Sequence, residues 1–367
     1  MPSSTTRPTP RAFGALLVLS VLSSGTALAQ VAPPLPPPPL SPDSGAGRKP
    51  PAAPPAMARD RGWMPLSATG VLQFRSAHPG WDGRGVLIAI LDTGIDAGVP
   101  GLDSTSTGGP KLLDLRDFSG EGTIPLVPVN PRGDTVSLGG RRLAGMGRVR
   151  GATAGPWFAG LFLERPLGQP PAADVNGNGT SGDSLLVVVG RVGEGWALFA
   201  DTDGDGSLGN ERAVRDFLRA RETFGWHRPG EPTPLTIAVN LTDELGPGRP
   251  LPSPPALRLF FDTEAHGTHV AGIAAGRGIG GVTGFDGVAP GAQLLGLKIS
   301  RNDFGGITTT GSVVTAMAYA IRFAEARGLP LVLNMSFGVG NEREGAARID
   351  RIVDSILDAH PGVAFVT

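Results

Sequence analysis

The sequence has no cysteine and almost no net charge, and both shortages exclude classes of function. Without cysteine there are no disulfides and no thiol nucleophile, and the redox compartment leaves no trace in the sequence. The 32 basic and 33 acidic side chains give a formal net charge of −1. Such a balance offers no basic field for the phosphates of nucleic acid, so we expect no nucleic-acid partner.

Glycine and proline are abundant instead, with 56 and 36 residues among 367. Together they make up about a quarter of the chain, a content typical of chains in which some stretches have no packed interior. The length nevertheless suits about two domains, and 40 % of the residues are apolar. We therefore expect ordered domains together with at least one irregular segment.

The first 29 residues have the three parts of a secretory signal. Arg7 and Arg11 precede an apolar run over 12–22, and an Ala-Leu-Ala sequence ends at Ala29. The run is too short to span a bilayer, although a short helix on the membrane surface is an alternative. We predict a signal peptide over 1–29 cleaved near Ala29, a secreted, periplasmic or extracellular location, and no membrane association after its removal.

A proline-rich segment follows over 30–62. Eleven of the 26 residues from 31 to 56 are proline. Proline favours the polyproline II conformation and lacks a backbone donor, so this segment cannot build a core. We predict a semi-rigid linker.

From residue 63 onward, strand and helix patterns alternate in two parts of the chain, 63–101 and 263–367. The run VLIAIL at 86–91 is typical of a strand buried on both faces. Later segments give strand patterns at 292–300, 331–337 and 363–366, and helix patterns at 266–275, 312–327 and 349–356. This alternation predicts an α/β fold, with a parallel sheet and helices on both of its faces.

The helix pattern that starts near residue 312 allows a more detailed prediction. Ser312 is a suitable cap, and Val314, Met317, Ala318 and Ile321 follow the spacing of one apolar helix face. We expect this face to pack on the sheet.

Between residues 102 and 262 the alternation disappears. Short apolar strand patterns occur at 184–190, 196–200, 235–241 and 257–261, separated by glycine, proline and aspartate. We predict a β-rich module over 102–262, inserted into the α/β frame so that the two parts of the frame meet around it.

Two residues are candidates for catalysis. Asp92 lies at the carboxyl end of the first strand pattern, where ligands sit in open α/β sheets, and His266 opens a helix pattern. A carboxylate that accepts a hydrogen bond from an imidazole fixes its tautomer and stabilises the imidazolium formed in acyl transfer. Taken singly, Asp92 also fits a turn cap and His266 a packing residue. Together they predict two members of a hydrolytic triad that touch in the fold.

Four segments in order resemble the signatures of the subtilisin-like serine peptidases, the S8 or subtilase family: ILDTGID (90–96), HGTHVAG (266–272), GVAPGAQLLGLKI (287–299) and LVLNMSFG (331–338). The long insert before His266 is similar to the tripeptidyl peptidase II subgroup and its bacterial relatives. The resemblance implies a serine endopeptidase that needs no cofactor for its chemistry. In it, Asp92 is the orienting carboxylate and His266 the general base.

The resemblance also implies where substrate and nucleophile lie. Asn334, Ser336, Phe337 and Gly338 would pair with the backbone of an extended peptide, the expected partner. In the family the oxyanion asparagine and the serine nucleophile follow a strand like 363–366, and the sequence stops at Thr367. We therefore expect an amino-terminal part of a peptidase, with a sheet incomplete at its C-terminus and no activity of its own.

A Gly-Thr-Ser sequence at 179–181 does not change this expectation. It precedes His266, lies in a polar turn, and is followed by no apolar helix pattern. We do not expect Ser181 to be the nucleophile.

One acidic segment suggests a metal. Asp201, Asp203 and Asp205 alternate and are followed by glycine, as in calcium loops, although Glu211 comes one place early for an EF-hand. A structural calcium site and a solvated acidic turn both fit this pattern. Two alternatives to a peptidase therefore stay open: a non-catalytic secreted protein that binds peptides, and a calcium-binding β module on a truncated scaffold. The sequence specifies neither the cleaved peptides nor the oligomeric state.

Overall fold

The structure is a computed structural model that describes residues 64–149, 151–152, 155–164, 174–180, 182–226, 236–242, 255–302, 306–338, 343 and 345–367. The predicted signal peptide (1–29), the predicted linker (30–62) and Ser181 lie outside these residues. The α-helices of the described part are α1 (Val71–Ala77), α2 (Phe217–Ala220), α3 (His266–Ala275), α4 (Thr310–Glu325) and α5 (Arg348–Ala359). None of them is long and apolar enough to cross a membrane.

The described residues also form strands, numbered here in chain order. The strands as far as residue 200 are β1 (Leu87–Asp92), β2 (Leu112–Asp117), β3 (Thr123–Ile124), β4 (Val127–Val129), β5 (Val136–Leu138), β6 (Arg141–Leu143), β7 (Trp157–Leu163), β8 (Ser184–Val192) and β9 (Gly195–Ala200). The strands after residue 200 are β10 (Val214–Arg215), β11 (Thr223–Phe224), β12 (Ile237–Thr242), β13 (Ala256–Phe260), β14 (Gln293–Lys298), β15 (Ser300–Arg301), β16 (Ile307–Thr308), β17 (Leu331–Asn334) and β18 (Val363–Val366).

A parallel sheet of five strands carries the α/β frame. Its order is β18-β17-β1-β14-β2, and every neighbouring pair runs parallel. All six residues of β1 are buried, as its unbroken apolar run predicts. The predicted α/β fold is confirmed.

Helices cover both faces of this sheet. Leu87 and Leu91 of β1 belong to a hydrophobic cluster with residues of α4 and α5. Ile88 and Ile90, which point to the other face, belong to a cluster with Ala271 and other residues of α3. Because side chains alternate along a strand, β1 contributes to both cores at once.

The boundary predicted for the inserted module at residue 102 is wrong by one strand. β2 is an edge strand of the parallel sheet and pairs with β14, so the frame continues to Asp117. The sequence concealed this strand because Asp114 and Asp117 interrupt its apolar run, yet both are buried. The β-rich module of the structure is therefore residues 118–262.

Two antiparallel sheets make up most of this module. Their orders are β10-β9-β8-β7-β4 and β11-β12-β13-β3, and residues of both share one hydrophobic cluster. The strand patterns predicted at 184–190, 196–200, 235–241 and 257–261 correspond to β8, β9, β12 and β13. Alternate residues of these strands are buried in the cluster that the two sheets share, and the residues between them are buried in other clusters on the opposite faces.

The helix predicted from residue 312 begins earlier, as α4. Thr309, not Ser312, is its N-cap, and its hydroxyl accepts a hydrogen bond from the backbone N–H of Ser312 at 3.1 Å. Met317 and Ile321 are buried as predicted, but Val313 is buried where Val314 was expected. The contact with the sheet selects a face rotated slightly from the one that spacing alone favours.

Candidate active site

Asp92 and His266 meet at the carboxyl edge of the parallel sheet. β1 ends at Asp92 and α3 begins at His266, and the two residues are 174 positions apart in sequence. The Nδ1 atom of His266 lies 2.7 Å from the Oδ1 atom of Asp92. Asp92 is 1 % exposed, whereas the side chain of His266 is 49 % exposed. The acid is therefore shielded from water while the imidazole is open to a ligand.

The contact with Asp92 favours the protonated form of the His266 ring. The hydrogen bond from His266 to Asp92 raises the pKa of His266 above its ordinary value, against the smaller opposing effect of burial. With the Nδ1–H donating to Asp92, the Nε2 atom is the proton acceptor of the neutral ring. Among the residues that the structure describes, no hydroxyl hydrogen-bonds this Nε2. The pair can orient and charge an imidazole, which is the task of an acid–base dyad.

A second buried carboxylate, Asp262, joins the two halves of the site. Its Oδ1 accepts from the hydroxyl of Thr93 at 2.9 Å and from the N–H of Ala265 at 3.1 Å. Its Oδ2 accepts from the N–H of Thr268 at 3.0 Å and from its hydroxyl at 2.5 Å. The Thr93 hydroxyl in turn accepts from the N–H of Gly267 at 2.9 Å. Asp262 thus ties the loop after β1 to the first turn of α3.

Sequence reasoning missed Asp262 and Thr93. The only local signal was a carboxylate shortly before a helix start, and Asp262 lies three residues before the N-cap Ala265, outside the ordinary capping spacing. The bond from Asp262 to Thr93 crosses 169 residues and has no local signature.

Gly267 allows the close approach of α3 to the loop after β1. A Cβ atom at Gly267 would lie 2.1 Å from the carbonyl oxygen of Gly94 and 3.0 Å from the Cβ of Asp92. Any side chain here would push the helix away from the aspartate. This contact explains why the helix has a glycine, and no larger residue, at position 267.

We expect Gly267→Ala to destabilise the fold by about 1–3 kcal/mol, because the added methyl group meets backbone that cannot give way. Urea unfolding measures the loss. Gly272→Ala is the matched control in the same helix, since its Cβ would meet only the Cδ1 of Ile279 at 3.8 Å, an ordinary contact. The control is expected to be neutral or slightly stabilising. Equal losses in the two variants would contradict this account of Gly267.

The four residues predicted to bind substrate lie at the same edge. Asn334 ends β17 opposite Ile90, two residues before Asp92. Ser336 and Gly338 are exposed beyond the sheet, whereas Phe337 packs partly against the cluster around α4 and α5. The side-chain amide of Asn334 donates to the hydroxyl of Ser336 at 3.1 Å.

The predicted strand 331–337 ends at Asn334. β17 lies between β1 and β18, so its backbone is already paired on both sides and is not a free edge for a peptide. The N–H of Met335 makes the last of these bonds, to the carbonyl of Val366 at 2.9 Å. A peptide backbone therefore has access only to residues 336–338 of this segment.

The three aspartates of the acidic segment belong to a different part of the fold. Asp201, Asp203 and Asp205 follow β9 in the β-rich module, and one carboxylate oxygen of each lies within 4.8 Å of the others. None of them hydrogen-bonds Asp92 or His266.

Most of the chain matches one known protein family. Residues 83–367 match the sequence model of the subtilase family, peptidase S8. The chain belongs to the subtilase family. The resemblance drawn from the four sequence segments is thus confirmed.

Individual proteins that resemble this subtilase have low sequence identity to it. Tripeptidyl-peptidase 2 of Oryza sativa subsp. japonica is 25 % identical over 365 aligned residues, covering 81 % of this chain and 25 % of that protein. Tripeptidyl-peptidase 2 of Caenorhabditis elegans is 27 % identical over 329 residues, covering 75 % and 23 %. A crystal structure of tripeptidyl peptidase 2 superposes with a TM-score of 0.61 at 21 % identity, covering 81 % of this chain and 27 % of that one. The chain therefore spans about a quarter of the length of these relatives, and the structural match shows the fold alone.

Proposed function

We propose that this subtilase is exported and contributes the aspartate and histidine of a triad that hydrolyses peptide bonds within polypeptide chains. The observation that carries the proposal is the 2.7 Å contact between the buried Asp92 carboxylate and the half-exposed His266 ring. Family membership supplies the reaction class. The signal-like sequence over 1–29 supports export.

The roles follow from the chemistry of acyl transfer. The Nε2 atom of His266 takes the proton of a serine hydroxyl as its oxygen attacks the peptide carbonyl. Asp92 holds the ring and stabilises the imidazolium. The same proton then passes to the leaving amine as the C–N bond breaks, which leaves an acyl-enzyme that water hydrolyses with His266 again as the base.

Substrate would approach from the carboxyl edge of the sheet. Ser336 and Gly338 are exposed there, and their segment runs on from β17 next to the strand that ends at Asp92. An extended peptide that pairs with residues 336–338 lies along this edge, in the position that ligands take in open α/β sheets.

A fluorophosphonate probe, which labels activated serines, tests the assignment. We expect no labelling of residues 1–367 on their own, because none of their described hydroxyls bonds the Nε2 of His266. If the reading frame continues past codon 367, we expect the extended protein to be labelled and to hydrolyse peptides, and His266→Ala to abolish both.

Two outcomes would contradict the proposal. Labelling of the 367-residue chain at Ser181 would place the nucleophile before the histidine, against the order Asp, His, Ser that the family follows. Hydrolysis by an extended form that survives His266→Ala would remove the histidine from the chemistry.

A further inference from the structure

Two loops of the β-rich module share a ten-residue pattern. The first loop reads DVNGNGTSGD from position 174, and the second loop reads DTDGDGSLGN from position 201. In both, positions 1, 3, 5 and 10 are aspartate or asparagine, positions 4, 6 and 9 are glycine, and position 7 is serine or threonine. Side-chain oxygens at alternate positions before a glycine are typical of loops that wrap a calcium ion.

The fold brings these two loops to one edge of a sheet. The first loop leads directly into β8 and the second loop follows β9, and the two strands pair antiparallel with Val187 opposite Ala200. The end of β7 pairs with the start of β8, so it reaches the same edge. A cavity of about 360 Å³ there is lined by Asn176 and Asp183 of the first loop and by Asp201 of the second, together with Arg141 and Arg142.

In each loop, side-chain amides donate hydrogen bonds to side-chain carboxylates of the same loop. The positions that carry the amides in one loop carry the carboxylates in the other. In the first loop, the amides of Asn176 and Asn178 donate to Oδ2 of Asp183 at 3.2 and 2.5 Å. In this loop the amides stand at positions 3 and 5 and the acid at position 10. An asparagine amide turned by 180° presents oxygen where it had presented N–H, so the same side chains can also form a set of oxygen ligands.

In the second loop the acids stand at positions 3 and 5. The amide of Asn210 donates to Oδ2 of Asp203 at 3.1 Å and to Oδ2 of Asp205 at 3.2 Å. Asn210 thus places the positive end of its dipole between two carboxylates. A cation at this point would neutralise them far more completely than an amide does.

A separate observation points to a ligand. Glu164 follows β7 and is only 4 % exposed; its Oε1 accepts from the N–H groups of Val175 and Asn176 at 2.8 and 3.2 Å, at the start of the first loop. Its Oε2 is buried and has no hydrogen-bond partner among the described residues, and within the same residues this also holds for Oδ1 of Asp201 in the second loop. A buried carboxylate oxygen without a donor is costly unless a cation meets it. Each loop therefore has one such oxygen beside it.

We propose that the two loops bind a pair of calcium ions at this edge of the β-rich module. Glu164, Asp174 and the side-chain oxygens of Asn176 and Asn178 serve the first ion, and Asp201, Asp203 and Asp205 serve the second. Every proposed ligand atom is a carboxylate or amide oxygen, which suits calcium and disfavours zinc or copper. The second site has more carboxylates and binds more tightly, because affinity rises with ligand charge. The ions fasten the ends of β7, β8 and β9 to one another.

Calorimetric titration of calcium into the EDTA-treated, full 367-residue chain tests this proposal. We expect two binding events per chain, with affinities from about 10⁻⁵ to 10⁻³ M. Combining Asp203→Asn with Asp205→Asn removes the tighter event. Combining Glu164→Gln with Asp174→Asn weakens the other at least about tenfold, because two anionic ligands are lost. The control Glu194→Gln removes an exposed carboxylate at the opposite end of the β8–β9 hairpin and leaves both events unchanged.

Thermal unfolding gives a second readout that does not depend on resolving two events. Calcium is expected to raise the midpoint of the parent chain and of Glu194→Gln, and to raise it less in either double variant. Circular dichroism without calcium checks that all variants are folded. A flat titration up to about 10 mM calcium would overturn the proposal. A single event that is lost with the second-loop variant and kept with the first-loop variant would overturn the assignment of the first site.

Discussion

Asp92→Asn is expected to slow peptide hydrolysis by about 10⁴-fold in any form of this subtilase that hydrolyses peptides, with little change in the fold. The carboxylate accepts the Nδ1–H of His266 at 2.7 Å, and an asparagine amide in its place would offer N–H to the same nitrogen. The imidazole would then adopt the wrong tautomer, with a proton on Nε2, and would be unable to take one from the nucleophile.

Asp92→Asn is also expected to change the titration of His266, and this effect can be measured without a serine nucleophile. Asp92 raises the pKa of His266, so the folded state favours the imidazolium. This contribution to stability is fully present below the unfolded pKa of histidine, about 6.5, and is lost as the pH rises through the higher folded value. In Asp92→Asn the titration midpoint of His266 is expected to fall, and that part of the pH dependence of stability to vanish.

Nuclear magnetic resonance of the ring protons of His266 in the 367-residue chain measures this midpoint directly. Asp354→Asn, an equivalent exchange on the exposed side of α5, is the control and leaves the titration of His266 unchanged. A His266 midpoint that is the same in Asp92→Asn and in the parent would mean that the contact does not persist in solution.

The parts of the fold that the sequence predicted are those in which one local signal dominates. β1 is buried on both faces, so an unbroken apolar run marks it. Helix α3 has the bounds predicted, 266–275. Its run of small residues is a local signal, and Gly267 lies in it where the helix closely approaches the loop after β1. The contact between Asp92 and His266 could be predicted because two weak local patterns specify one chemical arrangement when they are taken together.

The parts that were missed depend on partners distant in sequence. Asp114 is buried in β2, where Arg116 bonds it at 2.7 Å and the hydroxyl of Tyr319 in α4 donates to it. Asp117, also buried, accepts from backbone N–H groups of the turn that follows β2. Such residues read as a polar loop until the fold supplies their partners, because buried polar groups are tolerated only when they are hydrogen-bonded. The sequence pattern therefore places β2 in the insertion, although it is an edge strand of the parallel sheet.

Asp262, at the candidate active site, likewise has partners that are distant in sequence. Its removal is expected to lower the free energy of unfolding. Asp262 is 5 % exposed and accepts from Thr93, Ala265 and Thr268. In Asp262→Ala these donors lose their acceptor, and a buried donor such as the Thr93 hydroxyl costs about 1–3 kcal/mol when it has no partner. We expect a loss of about 2–3 kcal/mol in the free energy of unfolding, measured by urea denaturation.

The matched control is Glu264→Ala, which removes the same charge two residues later from an exposed position and is expected to cost less than about 0.5 kcal/mol. Amide hydrogen exchange locates the effect: in Asp262→Ala, protection should fall first at Gly267 and Thr268, whose N–H groups depend on Asp262 directly or through Thr93. Because His266 lies between these anchors, its contact with Asp92 should loosen as well, and its pKa should fall toward the ordinary value both for this reason and because the charge of Asp262 helps to raise it. Equal losses of stability in the two variants, or unchanged protection at the start of α3, would show that the helix is held to β1 by packing alone.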